Sequence, residues 1–339
     1  MYSNTNFTSR DTNKNTLAQC NMKIPSSIYW HSSSEAAKVS TILTITLNVL
    51  TMPMTLFLNA LIIFVVWKNP SLQVERVIVL AYLALTDFLI GLTCQLLFIA
   101  KEILQFETNK VHCGLGIAFF LAMGLLKGVE FYQLLGILYE RYVAIIHPFQ
   151  YSTRITVKRL TYATIGLWTV NTMIFLLSFI TYILDMCLYI GIVGTILKFV
   201  IFVCMVYWYA KIFAAIRRQK RQIDQQQQNT NMNNPHTQRS HKGAITAALL
   251  LGCFLLSFSP IFFVIQLSQR SEVIFKDSSV WRTLQQWIET IICFSALLNP
   301  IIYGLRTRRL KEKCWEVLGF QHDIDEVVSH NACVATIPC

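Results

Sequence analysis

The sequence predicts an all-α membrane protein, a bundle of seven transmembrane helices followed by a short amphipathic helix. Hydrophobic residues make up 54% of the 339 residues and charged residues only 14%, below the about 25% of a typical soluble protein. Seven apolar stretches approach or exceed the about 20 residues that a helix needs to cross a bilayer. Their side chains do not alternate with a period of two, which argues against a closed β-barrel.

Short connections separate these stretches, with one exception. Residues 217–242 are polar and include a run of glutamines at 225–228, so we expect a flexible loop there. The predicted spans, numbered in chain order, are residues 39–67, 74–100, 113–142, 160–184, 187–216, 243–268 and 284–303.

Lys and Arg residues predict the orientation of the bundle. They are in excess in the connections after spans 1, 3 and 5 and in the C-terminal tail, and this excess is typical of cytoplasmic segments. We therefore expect a multi-pass plasma-membrane protein with an extracellular N-terminus, a cytoplasmic C-terminus and Arg141 inside. The net charge of +11 then reflects loops that meet anionic lipid headgroups, and it predicts no nucleic-acid partner.

The chain divides into four predicted regions. These are an extracellular tail (1–38), the transmembrane domain (39–304), a membrane-surface helix (305–318) and a cytoplasmic tail (319–339). No apolar segment precedes the first span, so we expect that span, and no cleaved signal peptide, to direct insertion.

Two positions are candidates for covalent modification. The sequon that begins at Asn6 predicts N-glycosylation of the N-terminal tail. Apolar and basic residues alternate at helical spacing in 305–318, which fits either a helix on the inner leaflet or a basic stop after span 7. In this segment, Cys314 is a candidate for acylation.

The sequence carries no enzyme motif that we recognise. It has no HExxH pair, no phosphate-binding glycine loop and no Ser-His-Asp set, and its ten cysteines form no CxxC pair. We expect neither catalysis nor a structural metal site.

Polar, charged and proline residues recur at defined depths in the spans. Taken in order, they resemble the motifs of the rhodopsin-like (class A) G-protein-coupled receptors along residues 39–318. The matching motifs are Asn59 in LNALIIFVVWKNPSLQ, Asp87 in LALTDFLIGL, Glu140-Arg141-Tyr142 with Pro148, Trp168, Tyr209 in YAKI, Phe254 with Pro260, and Asn299-Pro300-Ile301-Ile302-Tyr303.

The resemblance implies coupling to a heterotrimeric G protein through Arg141. An arginine is always charged and must remain paired or solvated, and its neighbour Glu140 can hold it in the resting receptor. Prolines in spans 6 and 7 provide hinges for a switch. The residues expected to act in coupling and switching are Glu140, Arg141, Tyr142, Tyr209, Phe254, Phe258, Pro260, Asn299, Pro300 and Tyr303.

The resemblance also implies a sodium ion near Asp87. A carboxylate in hydrocarbon costs about 2.5–3.5 kcal/mol, so Asp87 should face the bundle interior. Glu130 stands where the family usually has a small hydroxyl residue, and it either tightens cation binding or raises a carboxyl pKa so that a proton is trapped. The expected ion-site residues are Asn59, Asp87, Glu130, Ser295 and Asn299.

Helix depth predicts the lining of an extracellular ligand pocket. Lys127 either pairs with Glu130, which is one turn away, or contacts an anionic ligand group. Glu289 either contacts a cationic group of the ligand, or it packs in the bundle or pairs with Lys127. Lys198 either faces the pocket or extends its ammonium to the membrane surface. The predicted pocket residues are Met123, Lys127, Lys198, Phe258, Phe262, Gln266 and Glu289.

Two departures from the family pattern narrow the ligand class. Met123 stands where amine receptors carry an aspartate, and Cys293 stands where opsins carry their retinal lysine. We therefore expect neither a biogenic amine nor retinal as the ligand. The resemblance further implies a disulfide between Cys113 and Cys187 on the oxidising side of the membrane.

Two other functions fit part of the sequence. A transporter or channel would use Lys127, Glu130, Asp87 and Glu289 as an ion path; internal repeats would favour it, and we find none. A receptor that traffics or forms heteromers without signalling is the other alternative.

Overall fold

The structure, a computed structural model, is helical throughout its described part. The described residues are 35–108, 112–183, 188–229 and 278–319. Five helices in these ranges are long and apolar enough to cross a membrane, and the helix Ser278–Arg306 packs against them. The helical fold class predicted from the apolar stretches is confirmed for these residues.

The helices follow the predicted spans closely. The first to fifth helices are Glu35–Lys68, Glu75–Thr108, Cys113–Ile146, Val157–Ile183 and Leu188–Asn229. Ser278–Arg306 contains span 7 and is called the seventh helix, because span 6 lies outside the described residues; the surface helix Arg308–Val317 follows it.

The fifth helix corrects one expectation. It continues to Asn229, so the prediction of a flexible loop was wrong for residues 217–229. Lys, Arg and Gln are good helix formers, and they extend an existing helix without a new nucleation step.

The second helix contains a π-helical turn, Ile90–Gln95, one turn after Asp87. Gly91 lies in this turn, and a Cβ atom there would come within 3.2 Å of the side chains of Thr55 and Leu56. The first and second helices therefore pack closely beside Asp87. Such π-helical turns occur frequently at functional sites.

Two glycines let the third and fourth helices approach each other. A Cβ atom at Gly124 would overlap the ring of Phe175, and one at Gly128 would overlap the side chain of Asn171. Asn171 Nδ2 also donates a hydrogen bond of 3.1 Å to the Leu125 carbonyl. Small residues at this spacing are typical of helix contacts in membranes.

Buried apolar side chains form two clusters along the bundle. The cluster nearer the Arg141 end includes Leu83 and Leu310, so the surface helix is anchored in the core. The cluster nearer the Cys113 end includes Phe98 and Phe119. Polar side chains of the second, third and seventh helices lie between these clusters.

Candidate functional site

Five buried polar side chains form what we call the mid-bundle network: Asp87, Lys127, Glu130, Ser295 and Asn299. Asn299 Nδ2 donates to Asp87 Oδ2 at 3.1 Å and to Glu130 Oε1 at 3.4 Å. Glu130 is only 1% exposed and Asp87 is fully buried. One amide of the seventh helix therefore bridges carboxylates of the second and third helices.

Lys127 brings a positive charge into this network. Its Nζ donates to Glu130 Oε2 and, at 2.9 Å, to Ser295 Oγ, and the residue is 6% exposed. Of the two interpretations of Lys127, pairing with Glu130 is present in the structure. Contact with a ligand anion stays a prediction.

Asn59 ties the first helix to the seventh next to this network. Its Nδ2 donates to the carbonyl of Thr55 at 2.9 Å and to that of Ala296 at 3.1 Å. Because Ala296 follows Ser295, Asn59 contacts the backbone that positions a partner of Lys127.

A second group of charges, the Cys113-end cluster, was not predicted. Lys101 Nζ lies 3.2 Å from Glu102 Oε1 and 3.0 Å from Glu289 Oε2. Gln286 Nε2 donates to Glu102 Oε2 at 2.5 Å and to Thr41 Oγ1 at 3.1 Å. This cluster joins the first, second and seventh helices.

Lys101 also lies over an aromatic ring, with Nζ 4.4 Å from the centroid of Phe119, a favourable cation–π distance. Glu289 thus pairs with Lys101, which was not among the partners predicted for it. Lys101 and Glu102 directly follow the predicted end of span 2, and a longer span would have included them.

The Arg141-end cluster consists of Glu140, Arg141 and Tyr151. Arg141 Nε lies 2.9 Å from Glu140 Oε2, and Tyr151 Oη donates to Glu140 Oε1 at 2.8 Å. Glu140 is 1% and Arg141 9% exposed. Burial and the Glu140 carboxylate raise the pKa of Tyr151, so the phenol remains a hydrogen-bond donor at neutral pH.

Tyr151 was not among the predicted residues; it belongs to the short helix Tyr151–Arg154 after the third helix. The signal available was an aromatic hydroxyl eleven residues beyond a buried carboxylate. That spacing alone does not predict a contact, because it depends on the turn between the two helices.

The other predicted residues are distributed as follows. Tyr142 stacks on Trp208 at 5.8 Å, and Tyr209 stacks on Phe213 at 6.3 Å between ring centroids. Met123 packs against the apolar cluster nearer the Cys113 end. Outside the described part lie Asn6, Cys187, Phe254, Phe258, Pro260, Phe262 and Gln266, and the side chains of Lys198 and Tyr303.

Membrane-length helices packed around buried charges define the class, a polytopic membrane protein with charged residues in its interior. Residues 58–303 match the 7 transmembrane receptor (rhodopsin family), and the chain belongs to this family. The predicted resemblance to rhodopsin-like receptors is thereby confirmed, and the fold is a seven-helix transmembrane bundle.

A named relative agrees with this assignment. The chain is 24% identical over 266 residues to "G-protein coupled receptor 12" of Rattus norvegicus, and the match covers 75% of each chain. This likeness agrees with the family that residues 58–303 match.

Proposed function

We propose that this protein is a plasma-membrane receptor in which an extracellular ligand moves the predicted sixth span, residues 243–268, and thereby activates a heterotrimeric G protein. Family membership supports the receptor class. The observation that carries the proposal is the Arg141-end cluster, where one carboxylate is contacted by both a guanidinium and a phenol.

The cluster has the properties of a switch that is closed. Arg141 cannot lose its charge, so a buried position requires a partner, and Glu140 provides it. A guanidinium released from that partner offers five N–H donors to carbonyl and carboxylate groups of another protein. Helix movement would exchange one set of partners for the other, as a two-state element requires.

Guanine-nucleotide exchange tests this role. Membranes that contain the receptor and a purified heterotrimeric G protein should exchange nucleotide faster than receptor-free membranes, and Arg141→Ala should remove the difference. Lys158→Ala is the matched control, because Lys158 is an exposed cation beyond the same end of the third helix.

Surface expression of both variants must be measured in parallel. Exchange that is unchanged in Arg141→Ala at equal expression would contradict the proposal. If the wild-type receptor accelerates exchange with no G-protein subtype, the result would favour the alternative of a receptor that traffics or forms heteromers without signalling.

The Cys113 end is the proposed ligand-binding end. The Glu289 side chain is 20% exposed, Met123 lies nearby in the third helix, and Lys101 adds a cation there. These groups suit a ligand with at least one charged group. A ligand screen read by second messengers would identify its chemistry, and the response should change in Glu289→Gln.

Three modifications complete the proposal. Cys113 is disulfide-bonded, which supports its pairing with Cys187, and Asn6 would carry a glycan on the same side of the membrane. Burial raises the pKa of the Cys314 thiol to about 11. Because the thiolate is the nucleophile, acylation of Cys314 would require the surface helix to expose it, and labelling with a radioactive fatty acid should be lost in Cys314→Ala.

A further inference from the structure

The residues around Asp87 do not fit a metal ion. Hard cations bind oxygen ligands and use several of them at once. In the mid-bundle network, the Asn299 amide presents its nitrogen to Asp87 and Glu130, and Asn59 also uses its amide nitrogen on carbonyls. Two of the expected ligands thus present hydrogen-bond donors.

Two more of the expected ligands already hold a cation. Glu130 Oε2 and Ser295 Oγ both accept from Lys127 Nζ. An ammonium and a metal ion at neighbouring positions would repel each other strongly in a buried site. A metal ion would have to displace an ammonium that is covalently attached to the third helix.

Asp87 Oδ1 is the one carboxylate oxygen of this network that receives no hydrogen bond from the described residues. This atom is buried. One carboxylate oxygen does not make a coordination shell, and a single water molecule satisfies such an atom.

We propose that the ammonium of Lys127 is a built-in counterion that takes the place of a dissociable metal cation between the second, third and seventh helices. The counterion is supplied by the chain, so it cannot leave when the external ion concentration falls. The mid-bundle network should therefore be equally stable with and without sodium, and sodium should not act on this receptor as an allosteric ligand.

Thermal unfolding of the purified full-length receptor tests the proposal directly. The midpoint should be the same in sodium, potassium and choline chloride, each at about 150 mM so that screening is equal. A midpoint that is higher in sodium than in the other two salts would overturn the proposal. This measurement needs no G protein, so its failure is distinguishable from failure of the proposed function.

A variant without the ammonium should gain the response to sodium that the wild-type receptor lacks. Lys127→Met leaves two buried carboxylates without a counterion in the network, and sodium should then raise the midpoint by about 2–4 °C over choline, the size of a modest ligand-linkage effect. Lys158→Met, which removes an exposed lysine, should show no difference between the salts.

A second variant covers the case in which Lys127→Met does not fold. Lys127→Met combined with Glu130→Gln keeps the net charge of the network and opens the position of the ammonium beside Asp87. Sodium should raise its midpoint, and adding Asp87→Asn should abolish the rise. If removal of the lysine creates no sodium response in a folded variant, the ammonium does not stand in for a metal ion.

Discussion

The mid-bundle network and the Cys113-end cluster have nearly the same composition. Each contains one lysine, two carboxylates and a side-chain amide, and each joins the second helix to the seventh. Glu102 is nearly as buried as Glu130, but the lysine and the other glutamate of the Cys113-end cluster differ from the mid-bundle network in their access to water. The Lys127 and Glu130 side chains are 7% and 2% exposed, whereas those of Lys101 and Glu289 are 13% and 20% exposed.

This difference in burial changes what the charges can do. A buried ion pair contributes little when intact, but removal of one partner leaves a charge in an apolar interior at high cost. A partly exposed pair is screened by water and can exchange partners cheaply. We therefore expect the mid-bundle network to hold the helices together, and the Lys101–Glu289 pair of the Cys113-end cluster to exchange partners at lower cost.

The largest expected effect is at Lys127. Lys127→Met should lower the free energy of unfolding by about 3–5 kcal/mol, because Glu130 would remain buried without its counterion. Surface expression and thermal unfolding measure the loss. Adding Glu130→Gln should recover most of it, and a single variant as stable as the wild type would show that the pair is not needed for stability.

Tyr151 tests a third cluster that is as buried as the mid-bundle network but is proposed to open. Tyr151→Phe removes a hydrogen bond to a charged carboxylate, worth about 1.5–3 kcal/mol, from the closed state of Glu140. Basal nucleotide exchange should therefore rise about tenfold or more, because each 1.4 kcal/mol changes an equilibrium constant about tenfold. Tyr162→Phe removes an exposed phenol and should have no effect, whereas unchanged exchange in Tyr151→Phe would contradict a closing role.

Lys101 should give a smaller loss of stability than Lys127. Lys101→Met removes two ion pairs and a cation–π contact. Water reaches the 20% exposed Glu289 side chain, and the buried Glu102 keeps its hydrogen bond from Gln286, so we expect a loss of about 1–2 kcal/mol. Thermal unfolding of both lysine variants in one buffer measures the difference. Equal losses would mean that burial does not distinguish the two regions.

Glu289 should give the smallest effect on stability. Glu289→Gln should change the free energy of unfolding by less than about 1 kcal/mol and yet alter the concentration of ligand needed for half-maximal response. Glu35→Gln, at the exposed start of the first helix, is the matched control. A ligand response that is identical in Glu289→Gln and the wild type would remove Glu289 from the proposed pocket.

Much of the mid-bundle network was predictable from composition. Asp87, Glu130 and Asn299 are polar residues inside apolar stretches. Because a polar side chain in the hydrocarbon of the membrane costs free energy, these residues must face the interior of the bundle. The pairing of Lys127 with Glu130 follows from helical spacing alone. These contacts could be predicted because they depend on the depth and face of a residue in one helix.

The contacts that were missed depend on how different helices are placed. Glu289 meets Lys101 because the second helix continues beyond its apolar stretch and contains a π-helical turn, which changes the direction of later side chains. Tyr151 reaches Glu140 because a short turn redirects the chain after the third helix. Neither feature produces a periodic pattern or a motif in the amino-acid sequence.

The amino-acid sequence by itself determined the helical class, most span positions and the identity of the charges that must lie inside the bundle, because each follows from the cost of polar groups in lipid. The partners that lie on other helices were decided by the tertiary structure. Four carboxylates and two lysines can pair in several ways within a sequence. Helical spacing accounts for Lys127 and Glu130, but only the packing of the helices brings Lys101 to Glu289 and Asn299 to Asp87.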